Sequence, residues 1–150
     1  MTIDLRSDTV TKPTPSMLNA MMSAKVGDDV FGEDSSINEL ETMAAGMFGK
    51  EAGLFCPTGT MTNQVAIKTH TQPMDEVIVE KSNHVYFYES GGIAYHSLSS
   101  VRLINGDRGR IKPSDIEENI NPNNIHHPHT KLVVIENTSN RGGGSYYQLD

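Results

Sequence analysis

The sequence has one cysteine, Cys56, among its 150 residues, and no tryptophan. A single thiol excludes an internal disulfide framework and a metal site built from cysteine alone. No apolar run approaches the roughly 20 residues that cross a bilayer. The start, MTIDLRSDTV, lacks both the basic residues and the apolar stretch of a secretory signal. A cytoplasmic address is therefore the expectation. Basic residues are also few. Twelve Lys and Arg stand against 19 Asp and Glu, a net charge of −7, which argues against a nucleic-acid or anionic-membrane partner. A small local anion site remains compatible with that balance.

What is present is the composition of a soluble globular chain, 36% apolar and 21% charged, at the length of one domain. Residues 1–13 are polar and end in Lys12-Pro13, which predicts an extended N-terminal arm. Thr14-Pro15 offers a helix cap followed by an early proline, and Met17, Leu18, Met21 and Met22 share a helical face ending near Gly27. Ser36 to Glu39 reads as a capping box, opening a second helix that closes at Gly49. Apolar runs at 53–56, 76–79, 101–104 and 132–135 read as strands, with helical stretches at 60–70, around 86–91 and at 113–120. Nearly continuous apolar strands alternating with helices predict an α/β fold, a mostly parallel sheet flanked by helices. Ligands of such folds sit in loops at the carboxyl ends of the strands.

Two of those loops, and one segment that precedes the last strand, hold candidate chemistry. In Cys56-Pro57-Thr58-Gly59-Thr60-Met61-Thr62-Asn63, unpaired helix N–H groups, a glycine and threonine hydroxyls make a phosphate cradle. An ordinary strand-to-helix turn capped by Thr58 explains the same residues. His84, set among Tyr86, Phe87 and Tyr88, can stack on a planar cofactor or move a proton, or can pack as a partly buried histidine. His126-His127-Pro128-His129 invites a metal reading, but no second cluster of ligands accompanies it. A surface turn with one functional histidine accounts for it better. The polar run Asp4-Leu5-Arg6-Ser7-Asp8-Thr9 is either solvated or reaches into a site, its own or a neighbouring subunit's.

Together these segments resemble one family. Asp4 to Thr11, Val26-Gly27-Asp28-Asp29-Val30-Phe31-Gly32-Glu33-Asp34, Phe48 to Ala52, Pro57 to Asn63, His84 with Glu89-Ser90-Gly91-Gly92, His126-His127-Pro128, Thr130-Lys131-Leu132 and Glu136-Asn137-Thr138 follow the order of the threonine aldolases. These are fold-type-I pyridoxal-phosphate enzymes of the β-eliminating lyase superfamily. The resemblance implies a 1–13 arm and, over 14–150, the first part of the large cofactor-binding domain. It implies pyridoxal 5'-phosphate as cofactor, held by Thr58, Gly59 and Thr60 at its phosphate and by His84 against its ring. It places Ser7 at the substrate carboxylate and His126 near the substrate hydroxyl, with His84 or His126 as base. The implied reaction cleaves threonine or allo-threonine to glycine and acetaldehyde, and the implied assembly is a homo-oligomer, a dimer or tetramer. Ser139 departs from the histidine that many relatives carry after Glu-Asn-Thr.

The family's Ser-Lys-Gly motif, whose lysine holds the cofactor, does not occur here, nor does its Asp-Gly-Ala-Arg motif. The expectation is a chain that carries the phosphate loop and stacking histidine of a larger domain and is inactive alone. The alternative is a non-catalytic α/β fragment, or one half of a split enzyme. Either way, a strand edge left uncovered predicts aggregation of residues 1–150 expressed alone.

Overall fold

A three-stranded parallel sheet of order β2–β1–β3 forms around β1 (Asp75–Glu80), with β2 (Ser100–Ile104) on one side and β3 (His129–Val134) on the other. The computed structural model describes residues 3, 4 and 6–148, in two units, Met1–Phe55 and Cys56–Asp150. Leu5 of the opening motif, and residues 1 and 2 of the expected arm, lie outside the described residues.

All six residues of β1 are buried, as a central parallel strand covered on both faces requires. Its side chains alternate between two clusters. Val77 and Val79 meet Ile67 of α3 (Gly59–His70), Val85 of α4 (His84–Phe87) and Ile93 of α5 (Gly92–Ser97). Ile78 meets Ile104 and Ile111 on the opposite face, with Ile116 of α6 (Pro113–Glu117) packed against them. The charged ends of β1 are satisfied rather than solvated. Glu76 accepts from Arg102 at 2.7 Å, Asn121 at 2.9 Å and Thr130 at 3.3 Å, ties that join all three strands to the segment preceding β3.

In the first unit, α1 (Pro15–Ser23) and α2 (Ser35–Met47) form as the apolar spacing predicts. Their ends differ. α1 stops at Ser23, short of Gly27, and α2 is capped by Asp34, two residues before the expected Ser36. The Asp34 carboxylate accepts from the N–H groups of Ser36 and Ile37, both at 3.0 Å, and of Gly27 at 3.2 Å. The hydroxyl of Ser36 turns instead to the carbonyl of Lys25 at 2.8 Å. Those contacts close the Val26–Asp34 segment on itself. Gly27 lies so close to the carbonyl of Glu33 that no side chain fits there.

The expected strand at 53–56 does not form: no strand pairs with it among the described residues. The N–H of Phe55 is taken by the Glu41 carboxylate at 2.7 Å, which removes a donor that a sheet neighbour would need. α5 was not expected from the sequence, and α6 ends at Glu117 rather than 120.

Candidate active site

Thr58 sits in extended backbone and caps α3, its Oγ1 accepting from the N–H of Met61 at 3.1 Å. The N–H groups of Gly59 and Thr60, in the first turn, are given no acceptor among the described residues. A side chain built on Gly59 would meet nothing within 4 Å. Two free donors, two threonine hydroxyls and the positive end of a 12-residue helix, all exposed, fit a phosphate.

His84 is the first residue of α4, in the loop that leaves the carboxyl end of β1. Buried Asn83 sets this turn by accepting from the N–H of Val85 at 3.2 Å. The His84 ring is exposed and lies 5.3 Å from that of Tyr88, tilted by 40°. Its main-chain N–H donates to Glu136 Oε2 at 3.2 Å, and Asn140 donates to the other oxygen at 3.3 Å. Arg141 stands over the Phe87 ring at 4.3 Å and donates to the Tyr88 hydroxyl at 3.1 Å. The polar residues that follow β3 thereby meet the aromatic turn that follows β1.

Glu89 joins this turn to α3. Its carboxylate, 4% exposed, accepts from Asn63 Nδ2 and from Gln64 Nε2, each at 2.6 Å. Sequence reasoning missed this residue, because an acidic side chain in a polar loop reads as solvated. The available signal was the pair of amides at 63 and 64 in the loop-to-helix segment already suspected of holding a ligand.

His126 is placed elsewhere. Three residues after it His129 opens β3, pairing in register with Asp75, the first residue of β1, and its Nδ1 lies 3.4 Å from the Asp75 carboxylate. A cavity of about 560 Å³ here is lined by His126, Asp75 and Ser100, the last two being the first residues of their strands. His126 is thus at the amino ends of the strands and His84 at the carboxyl ends. Within one chain the sheet separates them. Among the described residues no three histidine, cysteine or acidic side chains gather as metal ligands.

Ser7 belongs to the first unit, where its Oγ accepts from the N–H of Thr9 at 3.2 Å and caps the short turn Asp8–Val10. Beside it, the Arg6 guanidinium and main-chain N–H hold the Asp4 carboxyl below the usual carboxylate range. Ser139 is fully buried, its Oγ accepting from Gly142 and its N–H donating to Ser145 at 2.8 Å.

The sequence model of the beta-eliminating lyase family matches residues 4–150. An uncharacterized protein of Caenorhabditis elegans is 47% identical over 149 residues, covering 99% of this chain and 36% of its own length. The low specificity L-threonine aldolase of Escherichia coli is 45% identical over 139 residues, 92% of this chain and 42% of its own. Among solved structures, the threonine aldolase of Leishmania major superposes with a TM-score of 0.73 at 25% identity, over 88% of this chain and 38% of that one. The chain therefore spans about two fifths of the length of the relatives it matches.

Proposed function

Because the chain belongs to the beta-eliminating lyase family, we propose that it forms part of a pyridoxal-phosphate-dependent lyase that cleaves threonine or allo-threonine to glycine and acetaldehyde. The observation that carries this reading is the open first turn of α3, tied by Glu89 to the turn bearing His84. In it, the N–H groups of Gly59 and Thr60 and the hydroxyls of Thr58 and Thr60 hold the cofactor phosphate, and the His84 imidazole lies against the ring. Pyridoxal phosphate, when bound, supplies an electron sink for the carbanion left when a Cα–Cβ bond breaks.

The remaining work falls to side chains. The Ser7 hydroxyl donates to the substrate carboxylate and fixes the orientation of the amino acid. A neutral imidazole nitrogen takes the proton of the β-hydroxyl as the bond to Cβ breaks, a role suited to histidine at neutral pH. His84 is on this chain's own site. His126, at the other end of the sheet, takes part only in the site of a neighbouring copy, which makes a homo-oligomer part of the proposal. The lysine that holds the cofactor comes from a Ser-Lys-Gly segment absent from these 150 residues.

The test is to supply the full-length protein with pyridoxal phosphate and measure glycine released from threonine and from allo-threonine. Release dependent on the cofactor supports the reading; no release from either substrate overturns it.

A further inference from the structure

The Glu89 carboxylate is nine-tenths buried, yet among the described residues neither of its oxygens is given a cationic partner. Burying an ionisable group with only neutral donors is costly, and the cost is offset only where each oxygen finds a well-placed hydrogen bond. Here each oxygen takes one short bond, from Asn63 Nδ2 and Gln64 Nε2. Those amides stand at the fifth and sixth residues of α3, one turn past the free N–H groups of Gly59 and Thr60. Glu89 itself follows the His84 turn by one residue, and its carbonyl accepts from Gly92 at 2.9 Å to start α5. The Gln64 amide lies flat on Gly92, where a built side chain would stand 2.6 Å from Cδ, and among the described residues its buried Oε1 has no partner. The Gln64 amide is therefore held by Glu89 on one side and the Gly92 backbone on the other, with no second side-chain hydrogen bond among the described residues.

Resting on the reading proposed above, we infer that Glu89 is a positioning residue for the cofactor: its bonds to Asn63 and Gln64 fix the phosphate-binding end of α3 relative to His84. A phosphate and a pyridine ring are parts of one rigid molecule, so two elements that grip them separately must be held in register. The clamp supplies that register without touching the cofactor.

The clamp makes a prediction that general support of the fold does not. Glu89→Gln keeps the shape but removes the charge from both bonds and replaces one accepting oxygen by an NH2, which faces an amide N–H of Asn63 or Gln64 unless that amide turns over. Adding Asn63→Asp restores a complementary pair, with the new amide donating to the new carboxylate. In the full-length protein, pyridoxal phosphate affinity is followed by absorbance titration, the ring's setting by the circular dichroism of the cofactor band, and folding by the melting temperature of the cofactor-free form. The expected result is that Glu89→Gln weakens cofactor binding about tenfold or more, the scale of one charge-assisted hydrogen bond. It also alters the cofactor band, and the double variant recovers both. Unchanged affinity and band in Glu89→Gln overturn the inference. So does a double variant that regains the melting temperature without regaining affinity, which includes the case where Glu89→Gln alone fails to fold. A wild-type protein that binds no pyridoxal phosphate overturns instead the reading beneath it.

Discussion

The main-chain N–H of His84 donates to Oε2 of Glu136 at 3.2 Å, joining residues 52 apart in sequence. β1 ends at Glu80 and β3 at Val134, so the contact links the two loops that leave neighbouring parallel strands on the same side of the sheet. Glu136 bonds Asn140 as well, so one carboxylate holds both the His84 turn and the Asn137–Gly144 loop. Glu136→Gln loses charge assistance at both bonds. It is expected to cost about 1 kcal/mol, read as a lower urea midpoint of the full-length protein with an unchanged slope.

His84→Ala removes the ring that stands 5.3 Å from Tyr88 and, in the proposed site, lies on the cofactor. Pairs of stacked rings contribute about 0.5–1.5 kcal/mol beyond area, so pyridoxal phosphate affinity should fall roughly threefold to tenfold. Titration of cofactor absorbance measures it. An unchanged dissociation constant would remove His84 from the ring.

Thr58→Ala deletes the cap of α3 and is expected to lower stability by about 1 kcal/mol. Thr58→Ser keeps the hydroxyl and should restore it. Thermal unfolding of the two variants against wild type checks the pair, and inorganic phosphate should protect wild type and Thr58→Ser more than Thr58→Ala.

Ile78, fully buried between Ile104 and Ile111, holds the second face of the sheet. Ile78→Ala should cost about 2–5 kcal/mol, seen as a large fall in the unfolding midpoint. Arg110→Ala, which removes an exposed ion pair with Asp107, should change it little.

The N–H groups of Ile37 and Gly27 hold the Asp34 carboxyl below the usual carboxylate range, against the opposing effect of its burial. The folded form therefore binds its proton at lower pH than the unfolded form. The stability Asp34 contributes is fully present above the ordinary value of about 3.9 and is lost as pH falls through the lowered folded one. Asp34→Asn still caps but does not titrate. The stability gap between wild type and Asp34→Asn should be constant from neutral pH to about pH 5 and shrink below about pH 4, as followed by urea unfolding at each pH. A gap independent of pH would show that the charge of Asp34 has no part in it.

Much of the second unit was legible because the side chains that decide it are local. The apolar run 76–79 becomes β1, Thr58 caps α3, and the parallel order follows from alternating strands and helices. Several failures share a cause, since a residue outside the local stretch settled them. The 53–56 run has strand composition, but strand identity requires a partner, and Glu41 takes the Phe55 N–H. Asp34 and Ser36 are equally good caps; the extra donor from Gly27 selects Asp34. Glu89 drew no role from the sequence because its donors stand 26 and 25 residues away. His126 carried a role implied by resemblance, while its place just before the last strand puts it at the amino ends of the sheet, which the register of His129 with Asp75 bears out.

The central claim is that the first turn of α3 and the His84 turn grip one cofactor. A crystal structure of the full-length protein soaked or purified with pyridoxal phosphate tests it most directly. The account predicts phosphate density against the N–H groups of Gly59 and Thr60, with the ring on the His84 imidazole. Cofactor density anywhere else, or on only one of these two elements, would contradict it.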